Sequence, residues 1–328
     1  MLDIGKVPEN VLKRSIIKQI KTKRKEILIG AGVGEDCSAI SLEDGEILVT
    51  SVDPITATTF DCASLAVYAA TNDIATAGAE PLGVMLSALL PVGIEEADIK
   101  RIMQDAESAC AKLNVQLMGG HTEITDAVNK CIITATGYGK VKANELIKTG
   151  GAKEGDDIVV TKYIALEGSS IIARKKEQEL LSQFSKGFVD AIKDFDKSLS
   201  VVKEALIAAK CGATSMHDIT EGGIFGALWE VGAASKKGLE VDLKSIPIRQ
   251  ETIEICEKFT VNPYELISGG SLLITTPKGH DLVRELAKEG IASAVVGKIT
   301  GGNDRIVIND DEKRFLEPPK SDEIYKVN

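Results

Sequence analysis

Apolar residues recur at two different periods along this chain, and the changes of period mark out its elements. Val11, Leu12, Ile16 and Ile20 share one face at helical spacing, which predicts an amphipathic helix over residues 8–20. The basic run Lys21-Thr22-Lys23-Arg24-Lys25 follows and reads as a solvated helix end. β-Branched runs at 27–29, 38–42 and 47–52 predict strands, with Glu43-Asp44-Gly45 as the turn between the last two. An Ala-rich helix over 62–79 is closed by Pro81, whose ring cannot continue it. A buried strand at 82–90, a helix at 95–113 and strands at 115–118 and 131–139 complete a first unit.

Gly150, Gly151 and Gly155 punctuate the stretch 148–156, so domains are expected at 1–150 and 151–328. Beyond the boundary the pattern predicts a strand at 157–161, helices at 167–174 and 197–210, and a strand ending at His217. Helices at 221–235, 251–259 and 279–289, a strand at 271–275 and closing strands near Ala294 and Ile306 follow. Strands and helices alternate in both halves, which predicts an α/β (α+β) fold of two similar-sized domains.

Composition narrows the function classes. A chain of 328 residues agrees with two domains at about 150 residues each, and 44% hydrophobic residues suffice for two cores. The net charge of -10 argues against nucleic acid as a partner, because phosphate backbones select basic surfaces. The longest apolar stretch, 81–92, is too short for a bilayer, and the N-terminus lacks the order of a signal peptide, so no membrane role and a cytoplasmic location are expected. Cys37, Cys62, Cys110, Cys131, Cys211 and Cys256 stand singly with no CxxC pair and read as reduced, buried small hydrophobes.

Candidate chemistry sits where four apolar runs end on carboxylates or carboxamides: Gly34-Glu35-Asp36, Ser51-Val52-Asp53, Thr71-Asn72-Asp73 and Gly119-Gly120-His121-Thr122-Glu123. Asn72 and Asp73 fall on the helical stripe of Leu65 and Ala69, which is expected to face inward. An inward carboxylate needs a positive or hydrogen-bonding partner, and a divalent cation shared by the four segments meets that need. Oxygen-only ligands point to magnesium, and magnesium to phosphate. No GxxxxGK[ST] is present, and Gly30-Ala31-Gly32-Val33-Gly34 has the wrong spacing for a dinucleotide fingerprint. Glycine backbone can still approach phosphate at Gly119-Gly120, and Gly222-Gly223 at a helix start can bind an anion through free amides. His217 and Asp218 read either as an acid–base or substrate-orienting pair or as a strand end with Thr220 capping the next helix.

These motifs resemble a known superfamily. Gly34-Glu35-Asp36-Cys37-Ser38-Ala39-Ile40 resembles the GDDAAV segment of the aminoimidazole-ribonucleotide-synthase superfamily. Asn72-Asp73-Ile74-Ala75-Thr76-Ala77-Gly78-Ala79-Glu80-Pro81-Leu82 resembles its NDIAAMGARPL, and Gly119-Gly120-His121-Thr122-Glu123 its GGxT/E segment. Met216-His217-Asp218-Ile219-Thr220-Glu221-Gly222-Gly223-Ile224 resembles the MHDPTRGGL stretch of the HypE family of hydrogenase-maturation proteins. The resemblance implies an N-terminal α/β domain that pairs with its twin in a homodimer, a C-terminal α/β domain, and magnesium-ATP in a cleft between domains. It implies Asp36, Asp53, Asp73 and Glu123 for the metal, with Asn72, Gly119, Gly120 and Thr122 beside them. It also implies ATP-dependent phosphorylation of an amide-like carbonyl oxygen on a small-molecule or protein-borne acceptor.

Two departures matter. The HypE family ends in a cysteine that carries the carbamoyl group to be dehydrated, whereas no cysteine follows Cys256 here, and the family's Pro and Arg are Ile219 and Glu221. Three readings stay open: a HypE-like ATP-dependent enzyme of metalloenzyme maturation, a small-molecule kinase resembling thiamine-monophosphate kinase, and a non-catalytic nucleotide-binding scaffold.

Overall fold

The computed structural model describes residues 5–6, 11–29, 31, 39–56, 61–317 and 321–327. Asp36 and its neighbours Gly34, Glu35 and Cys37 lie outside this set, as do residues 8–10 of the first predicted helix. The chain divides into two compact units, Met1–Leu146 and Ile147–Asn328.

The N-terminal unit contains β1 (Gly5–Lys6), β2 (Ile27–Ile29), β3 (Ala39–Ile40), β4 (Glu46–Ile55), α1 (Cys62–Thr76), β5 (Glu80–Pro91), α2 (Glu96–Leu113), β6 (Gln116–Thr125) and β7 (Ile132–Lys142). Its main sheet has the order β1-β6-β5-β7-β4. Only β5 and β6 run parallel in it, because α2 carries the chain back between them. The predicted first helix appears as a π-helical turn at Leu12–Ile16 followed by a 3-10 turn at Ile17–Gln19, and Val11, Ile16 and Ile20 are buried.

Alternation along β4 and β7 decides which side chains meet α1. Val49, Ser51 and Asp53 of β4 are half-buried, whereas Leu48, Thr50 and Val52 are exposed. On β7 the buried positions include Ala135, Gly137, Gly139 and Val141. The helix lies close enough that side chains at two of these have no room. A Cβ at Gly137 would stand 2.8 Å from the Ala70 carbonyl oxygen, and one at Gly139 would stand 2.2 Å from Ile74 Cγ2. Ala66, Val67, Ala70 and Ile74 fill the contact from the helix side, each fully buried. The opposite sheet face keeps Val52 60% and Leu48 46% exposed.

The basic run at 21–25 is more than a solvated end. Where the chain passes the end of α2 and the start of β5, the buried Arg24 guanidinium donates to Glu26 at 3.1 Å, Glu80 at 2.8 Å and the Asn114 carbonyl at 2.9 Å. Lys140 joins the knot through Glu26 at 4.0 Å and adds Glu46 at 3.0 Å. These contacts hold the Glu26 carboxyl below its ordinary range, the Arg24 hydrogen bond being the main cause.

The C-terminal unit contains β8 (Asp157–Thr161), α3 (Leu166–Lys175), α4 (Glu177–Leu181), α5 (Lys186–Lys193), α6 (Val202–Lys210), β9 (Ser215–Ile219), α7 (Gly223–Ser235) and β10 (Gly238–Asp242). It continues with α8 (Gln250–Phe259), β11 (Ser271–Thr276), α9 (Gly279–Lys288), β12 (Ser293–Thr300), β13 (Arg305–Asn309) and β14 (Glu312–Phe315). Its sheet has the order β14-β13-β10-β12-β8-β11-β9, with β10 and β13 the parallel pair. Ile224, Phe225, Leu228 and Val231 of α7 pack with Ile158, Val160, Leu239 and Leu273. Alternation turns Val159, Leu272 and Ile274 to the other side, and α6 and α9 pack against β11, β12 and β8. A further core of Ala165, Ile172, Leu180, Val189, Ile255 and Leu266 joins α3, α4, α5 and α8, and Val327 near the C-terminus belongs to it. Among the described residues no helix is long and apolar enough to cross a membrane.

Removing one partner of a buried ion pair leaves the other charged and desolvated. Arg24→Met is therefore expected to cost about 3 kcal/mol of stability, read as a lowered urea midpoint, and an unchanged midpoint would contradict the role given to this knot.

Candidate functional site

The N-terminal unit brings two of the predicted carboxylates together. Asp53 comes from the edge strand β4 and Asp73 from α1 above it, and the Ser51 hydroxyl bridges them, hydrogen-bonding Asp53 Oδ2 at 3.2 Å and the Asp73 carboxylate. The helical stripe through Leu65, Ala69 and Asp73 is half-buried rather than inward, the deepest positions being Ala63, Ala66, Val67, Ala70, Thr71 and Ile74. Because β4 is the sheet edge, α1 overhangs it and leaves Asp73 at the rim. Asn72, beside it, is 4% exposed.

Glu123 does not join this pair within one chain. Gly119-Gly120, beyond the predicted strand end at residue 118, is the interior of β6, in register with β5: Gly119 opposite Met85, Gly120 opposite Leu86, His121 opposite Ser87 and Glu123 opposite Leu89. Gly120 has φ +145, and a Cβ there would stand 1.9 Å from the Leu86 carbonyl oxygen, so this glycine serves the close approach of β5. Asp53 lies in the row of Ala135 and Leu86, and Glu123 in the row of Leu89 and Ile132. Strand alternation then puts Asp53 and Thr122 on the helix side and His121 and Glu123 on the open side. His121 Nε2 lies 3.3 Å from Glu123 Oε2. Three inter-strand steps of about 4.8 Å also separate β4 from β6. Among the described residues no group of three or more His, Cys, Asp or Glu side chains is arranged to hold a metal ion.

The C-terminal unit separates the second predicted pair. His217 and Asp218 are neighbours on β9 and so face opposite sides of its sheet. His217 faces α7, where Nε2 is hydrogen-bonded to Glu230 Oε2 at 2.7 Å, while Asp218 is buried on the other side. The glycines that follow are already engaged. Gly222 N–H donates to Asp322 Oδ2 at 2.7 Å and Gly223 N–H to the Thr220 carbonyl at 3.1 Å, so neither amide is open to an external anion. Thr220 does not cap α7 with its side chain; the cap is Gly222, in the left-handed region. Asp322, 2% exposed, also accepts from Ile267 N–H at 3.2 Å and Ile324 N–H at 2.8 Å. A carboxylate of the chain itself thus occupies the helix start.

One residue carrying no sequence motif completes the arrangement. Glu167, in the first turn of α3, accepts from Gly269 N–H at 3.1 Å through Oε2. A Cβ at Gly269 would stand 2.2 Å from that oxygen, so the glycine makes the room the carboxyl needs. Burial pushes the Glu167 carboxyl up to about 7; the Gly269 amide opposes this, and the Asp322 and Asp218 carboxylates add to it. Burial raises the Asp322 carboxyl as well, against its three amide donors. Of the cysteines expected to be buried, Cys62, Cys110 and Cys256 are buried and free, and burial raises each thiol, Cys256 to about 12; Cys131 and Cys211 are only half-buried, and Cys37 lies outside the described residues.

A one-sided α/β layer with an acidic pair at its edge, and a second sheet with helices on both faces, define a two-domain architecture that known families share. Residues 34–141 match the AIR synthase related protein N-terminal domain and residues 153–309 the AIR synthase related protein C-terminal domain; the chain belongs to this family. More particularly, it is 28% identical over 333 residues to a putative hydrogenase expression/formation protein of Methanocaldococcus jannaschii, spanning 98% of this chain and 97% of that one. It is 28% identical over 275 residues to the carbamoyl dehydratase HypE of Cupriavidus necator, covering 78% of this chain and 76% of the relative. The crystal structure of the hydrogenase maturation protein HypE in complex with ATP has the same fold, with a TM-score of 0.82 over 97% of this chain and 96% of that one at 17% identity.

The raised Glu167 carboxyl has a signed consequence for stability. Between an ordinary value of 4.5 and about 7 the folded chain keeps a proton that the unfolded chain releases, so stability falls as pH rises through that window. Glu167→Gln, neutral throughout, is expected to melt higher than wild type at pH 8, with the difference shrinking towards zero by pH 5; an equal difference at both would contradict the assignment.

Proposed function

We propose that this protein is a HypE-like, magnesium-ATP-dependent enzyme that phosphorylates a carbonyl or carboxamide oxygen of an acceptor and releases ADP and phosphate. The observation that carries this reading is the meeting of Asp53 and Asp73 on Ser51, in a chain that matches a hydrogenase expression/formation protein over nearly its whole length. The donors are all hard oxygens, and Asp53 has no cationic partner among the described residues. That donor set fits magnesium, which binds through one or two carboxylates plus substrate phosphates. Bound there, magnesium would neutralise charge on the phosphates of ATP. Asp36 and Asn72 are assigned to the same nucleotide, with Thr122, Gly119 and Gly120 offered from β6. Of the residues predicted for the acceptor, His217 faces α7 and is held by Glu230, and we keep the assignment for Asp218.

The open sheet face is assigned to a second copy of the chain, giving a homodimer. Its exposed Val52 and Leu48 favour burial, and Glu123 with His121 would then face the partner rather than their own Asp53. The acceptor is a small molecule or a group borne by a protein of metalloenzyme maturation, a reading the relatives' names support, and the location proposed is the cytoplasm.

Nucleotide analysis after incubation with magnesium-ATP tests the reaction class. ADP and free phosphate in equal amounts are expected; ADP with a phosphorylated acceptor would instead indicate a kinase, and ATP left intact a scaffold. In the same protein Asp73→Asn is expected to weaken magnesium-dependent ATP binding at least about tenfold, or ~1.4 kcal/mol, with an unchanged circular dichroism spectrum. Unaltered affinity would remove Asp73 from the metal site.

A further inference from the structure

Three segments of the C-terminal unit converge on one carboxyl: the first turn of α3, the end of β9 carrying Asp218, and the turn Ser268-Gly269-Gly270 that leads into β11. We propose that Glu167 is the acid–base residue of this unit, exchanging a proton with the acceptor, and that Asp218 and Asp322 are positioning residues that keep it ready to do so. The proposal rests on the reading above, in which an acceptor oxygen is phosphorylated, and supplies the proton-handling group that reading still lacks.

The geometry sets Glu167 apart from an ordinary structural carboxylate. A buried carboxylate with a structural role is met by a cation or by several amides, as Asp322 is by the three amides of Gly222, Ile267 and Ile324. Glu167 has one amide, Gly269 N–H, on Oε2, and among the described residues Oε1 has no hydrogen-bond partner and the carboxylate no ion pair. The charged groups around it are Asp218 from β9 and Asp322 from the C-terminal segment, with Glu221 behind Asp322, and all are of the same sign. Like charges and burial both favour the protonated form, and a carboxyl that keeps its proton near neutral pH can both give and take one. Glu167 as a residue is half-buried rather than sealed in the core.

The transfer itself is a single proton. The O–H bond of the Glu167 carboxyl breaks with its electron pair kept on the carboxylate, a bond forms from that hydrogen to an oxygen or nitrogen of the acceptor, and solvent returns the proton after product leaves. In the opposite direction the carboxylate takes the proton of an acceptor N–H, again with solvent closing the cycle.

Carboxyl carbon NMR of glutamate-labelled full-length protein, without ligand, reads the group directly. The resonance lost in Glu167→Gln is expected to titrate near about 7 and lower in Asp218→Asn; a midpoint near 4.5 overturns the assignment whether or not the protein binds ATP. Phosphate release from magnesium-ATP provides the second measurement. Glu167→Gln, checked for native circular dichroism, is expected to lose about 100-fold in kcat with an unchanged KM for ATP, and Glu167→Asp to recover part of the rate with a displaced pH profile. A wild type that binds no ATP defeats the proposed function. A wild type that releases phosphate, matched in rate and pH profile by Glu167→Gln, defeats only the role of Glu167.

Discussion

The close approach of α1 to its sheet is the constraint on which the N-terminal unit depends. Gly137 and Gly139 leave no side chain between strand and helix, and the fully buried Ala66 and Ala70 answer them from the helix. At that separation Asp73 reaches the edge strand and shares Ser51 with Asp53. A larger residue at either glycine would have to displace the Ala70 carbonyl or the Ile74 side chain, lifting the helix and parting the two carboxylates. The same one-sided packing leaves the other sheet face to Val52, Leu48, His121 and Glu123. Packing, rather than any single motif, therefore sorts the acidic residues into two environments.

The C-terminal unit handles its carboxylates differently. Asp322 crosses about 100 residues of sequence to take the Gly222 amide, and by also holding Ile267 and Ile324 it ties the start of α7, the turn before β11 and the C-terminal segment to one point. Because that anion is supplied from within, the helix start is satisfied without a ligand. Glu167 stands beside this clamp with a single amide, and the contrast between the two carboxyls is what distinguishes a fixed anion from one free to change its proton.

Much of this was legible in the sequence. The order of acidic and glycine segments gave the family and the α/β fold, and the periodicity placed α1, α2, β8 and α7 close to their observed spans. The failures have physical causes. The strand expected to end at residue 118 runs on through Gly119-Gly120 to Thr125, because cross-strand pairing with β5 carries it there. His217 and Asp218 read as a pair because they are adjacent in the chain, although adjacency on a strand means opposite faces. Gly222 reads as an open amide because its acceptor, Asp322, lies far away in sequence, and Gly223 because the turn that closes its amide onto the Thr220 carbonyl forms only on folding. Glu167 left no signal, since the burial and the neighbouring carboxylates that mark it exist only after folding. Short elements such as β10 and α5 were missed for want of residues to establish a period.

Whether the carboxylates of the N-terminal unit form a metal-bridged nucleotide site is read by titration calorimetry of ATP into the protein, with magnesium and then with chelator. Micromolar binding that is lost when magnesium is removed is the expected result. Equal binding under both conditions, or none under either, would contradict it.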